Sequence, residues 1–261
     1  MRTIKIKDIV IGEGKPKVCV PIMGKDEKEI IKSLQQASKY NFDMIEWRID
    51  YLAEVSIENV LKIGKIFKET ENKHILLFTF RSEKEGGEKT ISPQEYIDLN
   101  RAIIENELCD MIDVEVFMAK GVCRSLCDAA HMKGIYVMGS NHDFTKTPDK
   151  ENLINRFVYM QFCDVDICKL AMMPNSKEDV YELMIATHTM KEKYASRPLV
   201  SMSMGELGKP SRILGELFDS AITFGCVGKA SAPGQMEVEE LNKALEYVHD
   251  QKEDAITKFI Q

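Results

Sequence analysis

The sequence predicts an α/β protein in which strands and helices alternate and close into a (β/α)8 TIM barrel. Amphipathic segments long enough for helices lie at 26–40, 57–70, 93–107, 149–161, 176–194 and 235–248. Eight apolar runs typical of strands alternate with them: KVCVPI at 17, DMIEWRI at 43, HILLFTF at 74, DMIDVEV at 110, IYVMGS at 135, DICKLAM at 166, PLVSMSM at 198 and SAITFG at 220. A chain of 261 residues suits one such barrel. We therefore expect residues 1–261 to form a single domain.

An open, doubly wound sheet is the alternative that this alternation leaves. Sheets of that class that bind dinucleotides carry G-x-G-x-x-G after the first strand, and nothing similar follows KVCVPI. Ser92-Pro93 and Thr147-Pro148-Asp149 have the composition of helix starts, because proline in the first turn loses no needed hydrogen bond. We rank the barrel first.

A further β pattern precedes the first barrel strand. TIKIKDIVIG at 3–12 alternates polar and apolar residues, and EGKP at 13–16 favours a turn. These features predict a β-hairpin that closes the floor of the barrel.

Composition and charge favour a small-molecule partner. The net charge is −7 and the sequence pI is about 5.4, so no global field attracts nucleic acid or anionic membranes. The start, MRTIKIKDIV, lacks the apolar core of a signal peptide, and no stretch has the length of a membrane span. We expect a cytoplasmic protein.

The cysteines predict neither a disulfide framework nor a metal site. There are 7 of them, an odd number, and they are scattered through apolar contexts. Cys123 and Cys127 lie four residues apart in a predicted helix, without a histidine or cysteine pair at zinc-site spacing. Reduced thiols and no metal are the expectation.

Charged residues interrupt strands that should be apolar on both faces. In DMIEWRI and the aspartate that follows it, Glu46, Arg48 and Asp50 fall on one face, because side chains alternate along a strand. The same period pairs Asp113 with Glu115, Ser140 with His142, and Lys169 with Ile167 and Ala171. Most of them lie near the carboxyl ends of strands, where barrel active sites are built, and Arg81 follows LLFTF in the same way. Structural ion pairs or solvation of strand ends would explain any one of these charges.

Lys169 and His142 are the best candidates for chemistry. An ammonium inside an apolar strand must be paired or lose its proton, and an inward-facing lysine can reach only the barrel's pocket. His142 lies in GSNHDF just beyond a strand, where an imidazole can act as general acid and base. A structural lysine and an ordinary loop histidine remain the alternatives.

Two late segments have the composition of loops. They are GELGKPSR, which ends at Arg212, and GCVGKASAPGQ, which carries Ser231 and Gln235. Either a mobile lid or ordinary turns would account for this composition. Gly86-Gly87, next to Glu85, predicts a flexible backbone after Arg81.

Several motifs together resemble the type I 3-dehydroquinase family. They are EWR at 46–48, FRSEKEGG at 80–87, SNHDF at 140–144, a lone lysine in the sixth barrel strand, SR at 211–212 and SAPGQ at 231–235. The resemblance spans nearly the whole chain. It implies a homodimeric hydro-lyase that needs no cofactor or metal and has 3-dehydroquinate as its substrate. The implied reaction is the third step of the shikimate pathway.

The resemblance also implies a role for each site residue. Lys169 would form a Schiff base with the C3 ketone, His142 would move the protons of a syn elimination that gives 3-dehydroshikimate, and Glu85 would orient that histidine. The implied substrate-binding residues are Glu46, Arg48 and Arg81 for the ring hydroxyls and the charge around the lysine, and Arg212, Ser231 and Gln235 for the carboxylate.

Two positions depart from the family pattern, and two other functions remain open. Pro21 stands where many relatives carry serine, and Cys168 precedes the lysine where relatives often carry proline. Another Schiff-base barrel enzyme, such as a class I aldolase, would also need Lys169. A sugar-acid binding module without activity would need the arginines, but not both Lys169 and His142.

Overall fold

Eight parallel strands surround a central axis inside a ring of helices in a computed structural model that describes residues 3–70 and 73–260, with side chains as far as residue 251. The strands are β1 (Ile4–Ile6), β2 (Ile9–Ile11), β3 (Lys17–Ile22), β4 (Met44–Arg48), β5 (Ile75–Thr79), β6 (Met111–Glu115), β7 (Tyr136–Asp143), β8 (Ile167–Met172), β9 (Leu199–Ser203) and β10 (Ile222–Phe224). The helices are α1 (Glu27–Ala37), α2 (Ile57–Thr70), α3 (Pro93–Glu105), α4 (Cys123–Met132), α5 (Lys150–Phe162), α6 (Lys177–Lys193), α7 (Gly205–Ile213) and α8 (Val238–Ile260). One helix follows each strand from β3 to β10.

The barrel closes between its last two strands. Strands β3 to β9 pair in sequence order, and β10 pairs with β3. Residues Leu199 and Ser220 form a parallel bridge, and the amide of Ala221 donates to the carbonyl of Leu199 at 2.7 Å. The predicted eight-stranded barrel is therefore confirmed.

The predicted helix starts are correct in one case and displaced in the other. Ser92 caps α3 and exchanges hydrogen bonds with Glu95, and Pro93 is the first residue of the helix. Asp149 caps α5 by accepting from the amide of Asn152 at 2.9 Å. Because this cap lies after Pro148, the proline precedes the helix and is not in its first turn.

The lower part of the barrel interior is apolar, and the amino-terminal hairpin covers it. Ile4, Ile6 and Ile11 of the hairpin belong to one buried cluster with inward-facing strand residues such as Met44 and Ile167. The interior side chains therefore meet a hydrophobic cover rather than water. The predicted hairpin floor is confirmed.

A polar layer lies above this apolar layer. Glu46, Asp113, Ser140 and Lys169 are buried, and each follows an apolar interior residue by two positions along its strand. Residues between them, such as Trp47, face the outer cluster between sheet and helices. Period-two alternation thus turns the charges into the barrel, as the sequence predicts.

The segment GELGKPSR is a helix and not a loop, which corrects the sequence prediction. A Cβ on Gly208 would lie 2.2 Å from the carbonyl oxygen of Ser203, so glycine allows α7 to approach the end of β9. Ser211 Oγ donates to the carbonyl of Gly208 at 2.7 Å and accepts from the amide of Ser203 at 2.9 Å. Small residues here serve close contact rather than flexibility.

Candidate active site

Every site residue predicted from sequence lines one pocket at the carboxyl ends of the barrel strands. The pocket together with the open space at its mouth measures about 450 Å³. The predicted residues along its wall are Glu46, Arg48, Arg81, Glu85, His142, Lys169, Arg212, Ser231 and Gln235. Strands, helix α7 and the loops after β5 and β10 all contribute to it, so the fold gathers residues that are far apart in the chain.

Lys169 points into this pocket from the middle of β8. Its Nζ lies 3.8 Å from Glu46 Oε1 and 3.7 Å from Asp113 Oδ2, and 4.2 Å from the centroid of the Phe224 ring. Both carboxylate distances exceed a hydrogen bond, so no short contact locks the nitrogen. Cys168 faces the outer core, as expected for the neighbour of an inward residue.

Arg81 lies between two carboxylates and makes short ion pairs with both of them. Its guanidinium lies 2.7 Å from Asp113 Oδ2 and 2.9 Å from Glu115 Oε1, and it donates to Ser140 Oγ at 3.0 Å. Burial would raise the pKa of Asp113, but the cations of Arg81 and Lys169 hold it below its ordinary value. Arg81 thus balances the charge beside the lysine.

Arg48 pairs with Asp50, which lies beyond the end of β4. The sequence places Asp50 on the face of the strand, whereas the structure places it in a short 3-10 turn, Ile49–Tyr51. From there its carboxylate accepts both Arg48 Nε at 2.8 Å and Arg48 Nη2 at 2.7 Å. Glu46 accepts from Thr79 Oγ1 at 3.1 Å. The charge of Arg48 at the pocket is therefore already balanced by Asp50.

His142 and Glu85 form a buried pair. His142 lies inside β7 and not beyond its end, because the strand continues to Asp143. Glu85 Oε2 lies 2.9 Å from His142 Nδ1 and accepts from the His142 amide at 2.8 Å. Burial lowers the pKa of His142 well below its usual value, and the cations of Arg81 and Lys169 lower it further. Burial and these cations therefore favour the neutral imidazole, which can accept a proton.

A fixed turn after β5 presents Glu85 to the histidine. Burial and, second, the nearby Glu115 raise the pKa of Glu85 to about 8, although Arg81 opposes both effects. Gly86 has a φ of +83°, and a Cβ there would lie 2.1 Å from the Phe144 ring. Glycine is therefore needed at residue 86 to hold Glu85 in position. The sequence predicted a flexible backbone here, whereas the structure shows a steric requirement for glycine.

Arg212 is a buried cation of a different kind. Its nearest polar contacts are Met202 Sδ at 3.5 Å and the Pro233 carbonyl at 3.0 Å, and within the described chain it forms no salt bridge. Burial lowers its pKa to about 10. A guanidinium desolvated without a carboxylate is costly unless an anion completes it. An anionic group of a ligand would therefore bind favourably next to Arg212.

The last loop covers the pocket and is a loop as predicted. Ser231 donates its amide to Gln235 Oε1 at 2.8 Å, and Gln235 Nε2 donates to Ser231 Oγ at 3.0 Å. Gly234, with a φ of +79°, lies so close to Gly205 that a Cβ would meet its carbonyl oxygen at 2.3 Å. The loop thus rests against the start of α7.

Sequence reasoning missed the apolar wall of the pocket. Met202, Met204, Phe144 and Phe224 also line it. The same period of two that identified the charges places Met202 and Met204 on one face of their strand and its extension, and Phe224 on the interior face of β10. That signal was present in PLVSMSM and SAITFG.

Three of the cysteines, Cys123, Cys127 and Cys163, lie close enough for their thiols to interact. All 7 cysteines are unpaired in the structure. In the part of the chain that the structure describes, no group of three or more histidine, cysteine, aspartate or glutamate side chains is arranged to hold a metal ion. None of the described helices is long and apolar enough to cross a membrane.

Comparison with known proteins gives a consistent result. The model of the type I 3-dehydroquinase family matches residues 18–252. A 3-dehydroquinate dehydratase of Shigella flexneri is 47% identical over 250 residues, which cover 95% of this chain and 99% of the relative.

Solved structures agree with the family match. A type I 3-dehydroquinate dehydratase from Clostridium difficile, solved with covalently modified comenic acid, has a TM-score of 0.92 and 44% identity, with coverage of 96% of this chain and 99% of that one. A 3-dehydroquinate dehydratase from Geobacillus kaustophilus has a TM-score of 0.92 at 31% identity, covering 95% of this chain and 97% of that one. The chain belongs to the type I 3-dehydroquinase family.

Proposed function

We propose that this chain dehydrates 3-dehydroquinate to 3-dehydroshikimate, the reaction of its family, through a Schiff base on Lys169. The observation that carries the proposal is the position of this amine. Its Nζ is buried in the pocket, 3.7 and 3.8 Å from two carboxylates and free of short hydrogen bonds. The same pocket holds a neutral histidine and an arginine without a carboxylate partner.

The covalent step makes a proton next to a ketone removable. The Lys169 amine adds to the C3 carbonyl, and loss of water from the adduct gives an iminium. The iminium draws electron density from the neighbouring C2–H bond and so acidifies that proton. Asp113 and Glu46 stabilise the positive charge on nitrogen, because both lie within 4 Å of it.

His142 is the group that moves the proton. Its Nδ1 contacts Glu85, so Nε2 is the nitrogen available to the substrate. The neutral imidazole removes the C2 proton, and the resulting imidazolium returns a proton to the C1 hydroxyl, which leaves as water. Hydrolysis of the conjugated iminium then frees Lys169 and releases the product. Glu85 fixes the ring and stabilises its charged form.

Substrate binding divides between two sides of the pocket. Arg212 binds the carboxylate, and Ser231 and Gln235 on the covering loop complete that contact. Glu46 and Arg48 contact the ring hydroxyls on the opposite side. Arg81 acts mainly through charge, because Asp113, Glu115 and Ser140 already occupy its donors. Pro21, which lies beside Glu46 in the barrel, supplies no hydroxyl to the ring.

The protein is proposed to act as a cytoplasmic homodimer on this small molecule, without nucleic acid or a membrane. The odd number of cysteines, which form no disulfide in the structure, and the family resemblance support this assignment. Sedimentation velocity at micromolar concentration tests the assembly. A single species with the mass of two 29.8 kDa chains is the expected result, and a monomer would contradict it.

Turnover is tested by the ultraviolet absorption of the product. Incubation with 3-dehydroquinate should generate the absorption of a conjugated enone, and Lys169→Ala with native circular dichroism should not. Absence of this absorption with the folded wild-type protein would refute dehydration. Cleavage of a carbon–carbon bond instead would identify an aldolase.

A further inference from the structure

Asn141 connects Glu85 to the outside of the barrel. It lies between the inward-facing Ser140 and His142, so its side chain points away from the barrel axis. Its Nδ2 donates to Glu85 Oε1 at 2.9 Å, and its Oδ1 accepts from Arg156 Nη1 at 2.7 Å. The buried amide is therefore bonded at both ends, to a carboxyl on one side and a cation on the other.

Arg156 fixes which way this amide points. A cation prefers the amide oxygen, so the amide NH2 group is directed at Glu85. Arg156 is itself held on α5 by Asn152 Oδ1 at 2.9 Å and lies over the Phe117 ring at 6.0 Å. Among the described side chains it forms no salt bridge with a carboxylate. It also lies near Asp143 and contacts Met172 Sδ at 4.0 Å, so the 2.7 Å hydrogen bond to Asn141 is its shortest contact with the barrel.

Because of the contact with Asn141, the two carboxyl oxygens of Glu85 have different hydrogen-bond partners. Oε1 accepts from Asn141, which leaves Oε2 for both the amide and Nδ1 of His142. The charged groups that face this carboxyl are Arg81 at 3.8 Å and Glu115, together with His142 itself. Without the Asn141 donor, one buried carboxylate oxygen would lose its partner, and the carboxyl could rotate away from the histidine.

We propose that Asn141 and Arg156 are positioning residues, which hold Glu85 in the orientation that keeps His142 ready to accept a proton at Nε2. The chain of contacts runs from Arg156 on helix α5 through Asn141 to Glu85 and then to the imidazole. The proposal rests on the proposed function for its kinetic consequences, but not for its effect on the imidazole. It extends the site by two residues that do not touch the substrate.

Asn141 and Arg156, which together form a clamp on Glu85, should also affect the ionisation of this carboxyl. Burial raises the pKa of Glu85, and the hydrogen bond from Asn141 works against that rise. Removal of the donor should therefore favour the neutral carboxyl, which donates to Nδ1 and leaves the proton of the imidazole on Nε2. A histidine in that tautomer cannot remove the substrate proton.

Kinetics provide the first test, with Asn141→Leu and Arg156→Met. Loss of a hydrogen bond to a charged group predicts a kcat about tenfold lower or more, with KM nearly unchanged. The low-pH limb of the kcat profile should move to higher pH. Arg156→Lys, which keeps a cation, should restore most of kcat. Asn155→Leu is the matched control, because Asn155 is exposed on the same helix and lines a surface cleft together with Asn141 and Arg156.

The second test reads the imidazole directly and needs no turnover. Long-range proton–nitrogen spectra of ¹⁵N-histidine protein, with the His142 signals assigned by His142→Gln, report which ring nitrogen carries the proton. In wild type the imidazole proton should move from Nε2 to Nδ1 as the pH rises through about 8, where Glu85 ionises, and in Asn141→Leu this change should need a higher pH. If folded Asn141→Leu kept the wild-type tautomer and pH profile, the clamp would be refuted. If wild type had no dehydratase activity, the proposed function would fail, and the spectra would still decide the clamp.

Discussion

Two cations share the polar layer of the barrel but differ in how closely carboxylates hold them. Arg81 makes ion pairs of 2.7 and 2.9 Å, whereas Lys169 stays 3.7 Å or more from the same kind of group. The arginine supplies the short contacts that neutralise Asp113 and Glu115. The lysine nitrogen is consequently free to approach a ketone, and the neighbouring carboxylates remain near enough to stabilise an iminium.

His142→Gln should separate bond formation from proton transfer. The amine of Lys169 does not depend on the imidazole for its position, so substrate should still become attached covalently. Removal of the C2 proton should slow, and turnover should fall by about 10²–10⁴-fold. Borohydride trapping of the stalled intermediate, compared with steady-state turnover, measures the two steps. Normal turnover in this variant would remove the histidine from the mechanism.

Arg212→Met should weaken substrate binding without weakening the fold. The guanidinium has no carboxylate partner in the free protein, so its removal relieves desolvation, and the melting temperature should be unchanged or raised. KM should rise about 100-fold or more, because the substrate carboxylate loses its charged partner.

Arg48→Met is the matched comparison for Arg212→Met. It removes the bidentate cation from the buried carboxylate of Asp50, which keeps only the backbone amides of Arg81 and Glu88, and should lower the free energy of unfolding by about 3–5 kcal/mol. Thermal melts of both variants decide the point. An equal loss of stability in the two would contradict the distinct roles given to the two arginines.

Period-two alternation predicted the inward charges, but it could not predict their pairing. The sequence places Glu46, Asp113 and Lys169 in the barrel, because a strand of known phase fixes the face of each residue. It does not show that Arg212 lacks a carboxylate, since that depends on how α7 and the last loop meet. The role of Asn141 could not be predicted either, because it depends on contacts with residues on two other elements.

At the scale of elements, small residues allow close approach where composition suggests flexibility. Gly208 lets helix α7 pack on Ser203, and Gly234 lets the last loop rest on Gly205. The helices at 26–40 and 57–70 were predicted closely, since their apolar stripes are clear. Helix α7 was not, because its glycine and proline content outweighed its periodicity.

Gly86→Ala should damage the site more than it damages the fold. The φ of +83° disfavours alanine, and the new Cβ would meet the Phe144 ring at 2.1 Å, so the turn that carries Glu85 must shift. We expect turnover to fall at least tenfold, as the Glu85–His142 contact lengthens.

Gly14→Ala is the control for backbone strain alone. Gly14 has a φ of +65°, and a Cβ added there would have nothing within 4 Å, so the change should cost about 1–2 kcal/mol of stability and leave kinetics intact. Kinetic assays and denaturant melts on both variants test the distinction. Equal kinetic defects would show that strain, and not the Phe144 clash, matters.

At the scale of the whole molecule, the barrel separates stability from chemistry along its axis. The hairpin and the methionine-rich lower layer exclude water at one end. The carboxyl ends carry the charged layer, which costs desolvation energy that the apolar end must offset. This division follows from the order of apolar and polar residues along each strand, and it was readable in the sequence.

The buried carboxyl of Glu85 should make stability depend on pH. Its folded pKa is raised, mainly by burial, above the unfolded value of 4.5. Its contribution to stability is therefore complete below pH 4.5 and is lost as pH rises through about 8. Glu85→Gln cannot titrate, so its free energy of unfolding should fall less over this range. Urea melts from pH 5 to 9 test this, and parallel curves for the two proteins would contradict it.

The proposed mechanism depends on one buried amine that forms a bond to the substrate. Borohydride added together with 3-dehydroquinate, followed by mass analysis of peptides, detects that bond and locates it. We expect irreversible inactivation and a reduced adduct on the peptide that contains Lys169. An adduct on another lysine, or fully active protein after treatment, would show that the mechanism is wrong.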